Sequence, residues 1–395
     1  MIEGGGGSIV NVHSVEAMRG YPGDPVYGAM KAAVCRALGT LCLAWSRSSW
    51  RCSAFVALCF VWGRSRAAMA RRSAWVALCL AWSLPGLAAA PASEAVSLVF
   101  AGDIVLDDVA GRMIRRGGDP FADWAGVLAG ADIRIGNLEC VVATRGQAAG
   151  KTYTFRAHPR VLPVLARHFD ALALANNHSG DFGREAFAQM LGLLGDAGLA
   201  SFGGGHNLAQ AHAPLLLERK GLRIALLGYN EFMPRSFEAD TDAPGIAWSE
   251  DEQVVADIRK ARQFYGADLV IPVMHWGWEN EPVANARQRQ LARTMIEAGA
   301  DAVIGGHPHV TQDIEHHQGK PIIYSVGNFV MKETDNDGQR RAWVLRLQLD
   351  RQGVRAFDTL PVQIDLDGIP HRGPGISTPC WRREDGAMRL CPPQP

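Results

Sequence analysis

Two histidines near the C-terminal third of the chain give the first chemical signal. His307 and His309 follow an apolar stretch over residues 301–304 that we predict to be a buried strand. On a regular strand both rings would face the same side, so they reach separate partners only where the backbone bends. The glycines and the proline within residues 304–310 permit that bend. Since neutral imidazoles gathered at a strand end suit a transition metal, the segment predicts part of a metal site.

Other predicted strands also end in residues that can bind a metal. Together with the two histidines, the donors at the strand ends are Asp103, Glu139, Asn177, His178, His275, His307 and His309. One such ending is ordinary, whereas five in one domain are difficult to attribute to packing. Mixed nitrogen and oxygen ligands favour Mn, Fe or Zn, and a carboxylate with ligands on both sides suits two ions about 3.5–4 Å apart. We therefore predict a site for one or two divalent metal ions.

The strands that position these donors alternate with helices. Apolar runs predict strands at residues 96–100, 131–135, 169–174, 222–229, 268–274 and 301–304. Periodic apolar residues predict helices over residues 109–116 and 288–298, and a capped helix that begins at residues 249–252. This alternation indicates an α/β fold, in which chemistry lies at the carboxyl ends of the strands. From about residue 368 the chain is rich in Pro and Gly, which predicts a loosely ordered tail.

The motifs at the strand ends, taken in order, resemble one family of proteins. They include Phe100-Ala-Gly-Asp103, Gly136-Asn-Leu-Glu139, Ala175-Asn-Asn-His178, His275-Trp-Gly277, Gly306-His-Pro-His309 and Tyr324-Ser-Val-Gly-Asn-Phe329. Over residues 96–350 the chain resembles the CapA/PgsA-like poly-γ-glutamate capsule-synthesis proteins, within the calcineurin-like metallophosphoesterase superfamily. The resemblance implies a four-layer α/β/β/α metallophosphoesterase-like sandwich with its site at the strand ends.

The resemblance also implies a role for each donor. Carried over by motif, the metal ligands are Asp103 and His309 for a first ion, Glu139 as the bridge, and Asn177, His275 and His307 for a second ion. His178 would be the general acid or would stabilise the transition state. The superfamily has a histidine two residues after its first aspartate, whereas this chain has Val105. Asp107 or Asp108 could fill that place, or it could stay empty, so a single metal ion is also compatible with the pattern.

The composition narrows the classes of function. Lys and Arg number 40, as do Asp and Glu, and this balance does not favour nucleic-acid binding, which needs a basic excess or patch. The eight cysteines include no Cys-x-x-Cys pair, which disfavours a zinc knuckle. Cys380 and Cys391 could close a short loop in an oxidising compartment.

The N-terminal segment resembles part of a different family. Residues 4–45 are similar to the active-site segment of short-chain dehydrogenases, in which Ser14 would polarise a carbonyl, Tyr27 would be the acid/base and Lys31 would lower the pKa of the tyrosine. The family's glycine-rich turn, which binds the dinucleotide phosphates, precedes that segment, and only three residues precede it here. We interpret residues 1–68 as a truncated fragment and extension without a complete cofactor domain.

Residues 69–90 have the features of an export signal. The basic pair Arg71-Arg72 precedes an apolar run over residues 73–84, and a helix-breaking turn and three alanines follow. We therefore predict an exported protein, periplasmic or membrane-anchored, that faces the outside of the cytoplasm. The predicted divisions are a dehydrogenase-like fragment and extension (1–68), a signal or anchor (69–90), a CapA-like domain (91–367) and a Pro/Gly-rich tail (368–395).

Two functional hypotheses follow from the donor set and the resemblance. The first is an exported CapA-type protein of poly-γ-glutamate capsule synthesis, in which metal-activated water attacks an anionic polymer or a phosphoester. The second is a non-catalytic partner with a vestigial metal site, which the residue at position 105 favours. Either protein could act with a membrane-bound polymer synthase or export complex. A third hypothesis, a short-chain dehydrogenase, requires residues 1–68 to bind a nicotinamide cofactor.

Overall fold

Two large β-sheets form the centre of the structure, a computed structural model that describes residues 95–233, 235–332 and 334–393. The strands are β1 (Val96–Ile104), β2 (Ile133–Leu138), β3 (Val141–Val142), β4 (Arg156–Ala157), β5 (Ala171–Ala173), β6 (Ala200–Phe202), β7 (Gly204–Gly205), β8 (Leu215–Arg219), β9 (Leu222–Asn230), β10 (Gly245–Ile246), β11 (Leu269–His275), β12 (Val303–Gly306), β13 (Ile314–His317), β14 (Lys320–Ile323), β15 (Asn328–Val330), β16 (Arg341–Asp350), β17 (Gly353–Ile364), β18 (Pro370–Arg372), β19 (Thr378–Arg382) and β20 (Arg389–Cys391). The dehydrogenase-like fragment and the predicted export signal lie outside the described residues.

Seven α-helices and three short 3-10 helices accompany the sheets in the described part of the chain. The α-helices are α1 (Asp108–Arg115), α2 (Ala125–Ala129), α3 (Leu162–His168), α4 (Gly183–Asp196), α5 (Leu208–Ala211), α6 (Asp251–Gln263) and α7 (Ala286–Ala298). The 3-10 helices are Ala122–Trp124, Pro159–Val161 and Arg235–Phe237. Among the described residues, no helix is both long and apolar enough to cross a membrane.

The strand order brings the carboxyl ends of parallel strands together in both sheets. The first sheet has the order β20-β19-β17-β16-β1-β2-β5-β6, with β15 beside β1 and β18 beside β17. The second has the order β13-β14-β12-β11-β9-β8. Strands β1, β2, β5 and β6 run parallel in the first sheet, as do β9, β11, β12 and β14 in the second. Parallel strands end at the same edge, so residues that follow them lie close together.

Three separate apolar cores show that the fold has four layers. The middle core lies between the two sheets and includes Phe100, Ile135 and Ile304. Helices α1 to α4 cover the outer face of the first sheet, where Trp124 is fully buried, and helices α5 to α7 cover the second, where Leu291 is fully buried. This arrangement confirms the predicted four-layer α/β/β/α sandwich.

The ends of helix α7 agree with the signals in the sequence, whereas the start of helix α6 does not. Helix α7 begins with a capping box, in which the Asn285 side chain accepts from the Gln288 backbone and the Gln288 side chain accepts in return. It ends at Gly299, which has φ +119° and so adopts the left-handed conformation that glycine favours. The predicted cap of α6 is wrong, because Glu250 occupies the N-cap position without a side-chain hydrogen bond.

The C-terminal segment is ordered, which corrects the prediction of a loose tail. Strand β18 pairs with β17, and β19 and β20 extend the first sheet beyond β17. A disulfide joins Cys380 to Cys391 across the β19–β20 pair, with the two Cα atoms 5.7 Å apart. Trp381 is buried and its ring lies 6.2 Å from that of Phe357. Pro and Gly here mark turns between paired strands, and the disulfide and the tryptophan stabilise them.

Loss of this disulfide should lower the free energy of unfolding. We expect Cys391→Ser to cost roughly 2–3 kcal/mol, because the bridge restricts a short loop of the unfolded chain. Urea denaturation of the oxidised wild type and the variant measures the difference. The double variant Cys380→Ser/Cys391→Ser should match the single variant, since either change removes the same bond. Equal midpoints for wild type and variants would show that the bridge contributes nothing.

Candidate metal centre

The candidate site lies where the carboxyl ends of strands from both sheets meet. Asp103 near the end of β1 is in register with Asn137 on β2 and with Asn328 on β15. In the second sheet, His275 at the end of β11 is in register with Gly306 at the end of β12. The backbone N–H of His307 then donates to the Asp103 carboxylate at 3.2 Å, which connects the two sheets directly.

The backbone bends at the two histidines, as the sequence predicts, but the glycines have a different role from the one expected. His307 has φ +93° and His309 has φ +58°. Residues other than glycine rarely adopt a positive φ. Gly305 and Gly306 remain in strand β12. A Cβ atom on Gly305 would lie 2.0 Å from the carbonyl oxygen of Tyr324, and one on Gly306 would lie 2.8 Å from Asp103 Oδ1. The glycines therefore permit close approach between segments of the chain, while the backbone strain is at the two histidines.

Two groups of buried side chains could each hold a metal ion. Glu139, His275 and His307 form one, and Asp103, Glu139 and His309 form the other, with the donor atoms of each within 4.8 Å of one another. Glu139 belongs to both, since its Oε1 lies 3.5 Å from His275 Nε2 and 3.8 Å from His309 Nε2. The arrangement has the form expected of two ions that share a carboxylate, and the role of each ligand stays a prediction.

Three asparagines contact these donors or one another through their side-chain amides. Asn177 Oδ1 lies 2.8 Å from His275 Nε2, which places the Asn177 amide beside the first group. Asn137 Nδ2 donates to Asp103 Oδ1 at 2.8 Å, and Asn176 Nδ2 donates to Asn137 Oδ1 at 3.0 Å. Hydrogen bonds of this kind hold the metal-binding side chains in the orientation that an ion needs.

The cluster contains buried atoms that a cation would satisfy. Both carboxylate oxygens of Glu139 and the Nε2 atom of His307 are buried without a hydrogen-bond partner. An unpartnered buried polar group costs about 1–3 kcal/mol, so these atoms need a ligand that the described residues do not supply. A divalent cation suits a carboxylate and an imidazole at once, and the residues present therefore fit a metal ion.

Burial favours the neutral forms of Glu139, His275 and His307. It raises the pKa of Glu139 well above its ordinary value, and the charges of Asp103 and Glu279 raise that pKa further. It also lowers the pKa of His275 and of His307 well below the ordinary value, with neighbouring histidines adding to the effect. Neutral imidazoles have a free lone pair, so both rings are ready to bind a metal.

Neither predicted substitute takes the place of the histidine that the resemblance implies at position 105. Val105 is buried in the outer core, and its backbone N–H donates to Val330. Asp107 accepts hydrogen bonds from the backbone of Asp108 and of Arg156, and Asp108 pairs with Arg112, so both carboxylates are engaged away from the two metal groups.

Asn328 is a member of the site that residue types alone did not indicate. Its Oδ1 atom lies 2.8 Å from His309 Nδ1, and its Nδ2 donates to the carbonyl oxygen of His309 at 3.3 Å. These two contacts fix both the ring and the backbone of His309. The signal in the sequence was weak, because an asparagine after a glycine is typical of a turn.

His178 belongs to a second cluster beside the donors. Its Nδ1 atom lies 2.7 Å from Asp181 Oδ2, which also accepts from the Phe155 backbone N–H at 2.7 Å. Lys151 pairs with the other oxygen of Asp181 and donates to the Asn177 carbonyl at 2.9 Å. The bond to Asp181 fixes the imidazole and leaves Nε2 as the nitrogen available to a substrate. Sequence reasoning selected His178 but did not assign Asp181 or Lys151.

Aromatic side chains form one wall of the site. The Phe232 ring lies 3.9 Å from the His307 ring, and the Trp278 ring lies edge-on to Phe232 at 6.0 Å. Trp278 is 64% exposed, which is unusual for so large an apolar side chain. Its neighbour Trp276 is fully buried and donates from Nε1 to the Tyr324 carbonyl, so it belongs to the core.

The close approach at Gly306 gives a direct test of the site. We expect Gly306→Ala to weaken metal binding by about 10- to 100-fold, because the added methyl displaces the Asp103 carboxylate. The free energy of unfolding should also fall by about 1–3 kcal/mol. Gly192→Ala is the matched control, since a Cβ at this position of helix α4 meets open space. The control should retain its metal affinity. Metal titration measures the affinity of each variant, and thermal denaturation measures its stability. Equal affinities for both variants would contradict the close packing at Gly306.

Comparison with known proteins places the chain in a family. Residues 97–333 match the family model described as "Bacterial capsule synthesis protein PGA_cap". The match covers more than half of the chain and includes every donor described above. The chain belongs to this family. The prediction of a CapA-like protein of poly-γ-glutamate capsule biosynthesis is thereby confirmed. Residues 1–57 match the short chain dehydrogenase model, in agreement with the resemblance of the N-terminal fragment.

Two relatives in Bacillus extend over most of the described region. The PGA biosynthesis protein CapA of Bacillus subtilis is 31% identical over 277 residues, which cover 69% of this chain and 72% of the relative. The capsule biosynthesis protein CapA of Bacillus anthracis is 29% identical over 70% of this chain and 69% of its own. Among solved structures, a hypothetical protein of Thermus thermophilus matches with a TM-score of 0.45 at 14% identity, over 68% of this chain and 99% of its own.

Proposed function

We propose that this family member is an exported, metal-dependent hydrolase that acts on the polymer of the capsule or on a phosphoester linked to it. The observation that carries the proposal is the buried Glu139 carboxylate, which lies between two groups of imidazole and carboxylate donors without a hydrogen-bond partner. A chain with no use for a cation gains nothing from such a group, because its burial is costly.

The residues divide the chemical work between binding the ion and handling the proton. Asp103, Glu139, His275, His307 and His309 would hold one or two divalent ions, with Mn, Fe or Zn suited to the mixed donors. A divalent ion supplies Lewis acidity, which lowers the pKa of a coordinated water and offsets negative charge on the substrate.

His178 is the residue proposed to supply a proton to the leaving group. Asp181 orients the ring through Nδ1, and Lys151 beside them adds a positive charge that attracts an anionic substrate. Phe232 and Trp278 form a wall against which part of the substrate can pack. The same set of residues could serve a phosphoester or a γ-glutamyl amide.

A comparison of metal content and turnover tests the proposal. Wild-type protein should contain metal and hydrolyse bis-p-nitrophenyl phosphate or a γ-glutamyl oligomer, and His275→Ala should lose both properties. His206→Ala is the control, because His206 is an exposed histidine outside the two donor groups. Bound metal without turnover on either substrate would refute the hydrolase.

The second candidate is a non-catalytic partner of a membrane-bound synthase or export complex. Val105 supports this candidate, because an apolar side chain cannot bind a metal ion. The group around Asp103 therefore has only Asp103, Glu139 and His309 as titratable donors among the described residues. Such a partner would keep a structural ion and show no turnover. A tagged chain that co-purifies with a membrane synthase, with equal yield for wild type and His178→Gln, would favour this candidate.

Export is the third part of the proposal. The Cys380–Cys391 disulfide supports it, since such bonds persist in oxidising compartments outside the cytoplasm, and so does the predicted signal at residues 69–90. Determination of the N-terminus of the mature protein from the cell envelope tests this part. A new N-terminus close to residue 90 is expected, whereas an intact N-terminus in the cytoplasmic fraction would contradict it.

A further inference from the structure

A groove of about 320 Å³ lies between helix α1 and the segment that precedes helix α3. We call it the arginine groove. Its charged and titratable lining residues are Asp107, Asp108, Arg112, Arg115, Arg156, His158 and Arg160. Four arginines against two aspartates make a local positive excess in a chain whose formal net charge is zero.

The two aspartates are already engaged within the groove. Asp107 accepts from the backbone N–H of Asp108 at 2.8 Å and from that of Arg156 at 3.0 Å. Asp108 forms an ion pair with Arg112, four residues along the helix. Neither carboxylate therefore pairs with Arg115 or with the remaining arginine on this side of the groove, Arg160.

That other arginine, Arg160, lies where helix electrostatics disfavour it. It follows Pro159 in the 3-10 helix that leads into α3, and the His158 ring accepts from its backbone N–H at 3.1 Å. A cation near a helix N-terminus opposes the helix dipole, whereas Arg115 at the C-terminus of α1 is favourably placed. Helix stability thus accounts for an arginine at position 115 but not for one at position 160. Binding of an anionic ligand would account for Arg160.

The residue that precedes Arg156 of the groove contacts the candidate acid. The ring of Phe155 lies 4.4 Å from that of His178, and its backbone N–H binds Asp181. The next residue, Arg156, lines the groove, and its guanidinium donates to the carbonyls of Arg145 and a neighbouring glycine. The candidate acid and the arginine groove are thus connected through two adjacent residues of the chain.

We propose that the arginine groove binds successive carboxylates of an extended polycarboxylate chain. The identity of the polymer rests on the proposed function, whereas the preference for an extended polyanion rests on the groove. Arg115 and Arg160 present planar guanidinium groups that pair with carboxylates in a bidentate manner. Both side chains are exposed, so salt should screen the interaction strongly.

A binding measurement without metal separates this inference from the hydrolase proposal. Full-length protein in chelator is titrated into a short fluorescein-labelled poly-γ-glutamate, and fluorescence anisotropy gives Kd at low and at high salt. We expect Arg115→Gln/Arg160→Gln to raise Kd about 10-fold at low salt, as loss of two exposed charge contacts would do. The control Arg259→Gln/Arg355→Gln removes the same charge from two exposed positions on α6 and β17, outside the groove, and should leave Kd within about 2-fold.

Each outcome decides a different point. Equal loss in both double variants would overturn the inference, since it would reduce the effect to net charge. Polyphosphate that binds as tightly, and depends equally on the two arginines, would also overturn it, because the groove would then be a general anion site. Groove-dependent polymer binding by the wild type, together with absent turnover by the same protein loaded with metal, would refute the hydrolase and leave the groove supported. Turnover without any groove-dependent binding would do the reverse.

Discussion

Glu139→Gln is expected to abolish metal binding while it leaves the stability of the metal-free protein nearly unchanged. Burial raises the pKa of Glu139 well above its ordinary value, so burial favours the neutral carboxyl group when no cation is bound. A neutral amide of the same shape therefore changes the free energy of unfolding by less than about 1 kcal/mol. As a ligand, however, the amide lacks the charge that two ions would share, and affinity should fall by more than about 100-fold.

The measurement compares thermal denaturation with excess metal and with chelator. In wild type, an ion at a thousand times its Kd adds about 4 kcal/mol to the free energy of unfolding. That increment should be absent from Glu139→Gln. Glu279→Gln removes a carboxylate that also raises the pKa of Glu139 but is exposed and outside both donor groups, so it should keep the increment. A metal-dependent rise in Tm that survives in Glu139→Gln would exclude the shared carboxylate.

The second large effect is expected at His178. We expect His178→Gln to retain metal and to lower kcat by about 10²- to 10⁴-fold, the usual contribution of a general acid. Asp181→Asn should lower kcat as well, because the ring loses the acceptor 2.7 Å from Nδ1 that fixes its orientation. KM should change little in His178→Gln, since the ring is proposed to act on the leaving group.

Leaving groups of different basicity distinguish this role from a structural one. A p-nitrophenyl ester needs little protonation, so His178→Gln should impair it much less than a simple alkyl ester. His206→Gln, an exposed histidine, serves as the control and should leave both rates unchanged. Equal losses for both esters, or loss of the bound metal, would show that His178 supports the site rather than the chemistry.

The positions of these candidate donors could be predicted from the sequence because strand ends are a local property. Each of Asp103, Glu139, Asn177 and His275 follows an apolar run, and parallel strands bring such ends to one edge whatever the details of packing. The alternation of elements indicated an α/β fold, and the family resemblance implied the four-layer architecture.

Contacts between distant segments were not predictable in this way. The His307 backbone meets the Asp103 carboxylate across 204 residues of sequence, and Gly306 is needed for that contact rather than for the bend. Asn328 enters the site because β15 pairs with β1 beyond the point where β16 separates from it. Composition also misled the prediction for the C-terminal segment, since Pro and Gly there lie between paired strands.

The division of the donors between two sheets sets the order of events during biogenesis. From Asp103 to His309 the ligands extend over most of the described chain, and only His307 and His309 are close neighbours in sequence among the members of the two donor groups. An unfolded chain therefore offers an ion no preformed site, and loading follows folding. The proposed export would place this step outside the cytoplasm, where the ions available in the cell envelope would select the metal.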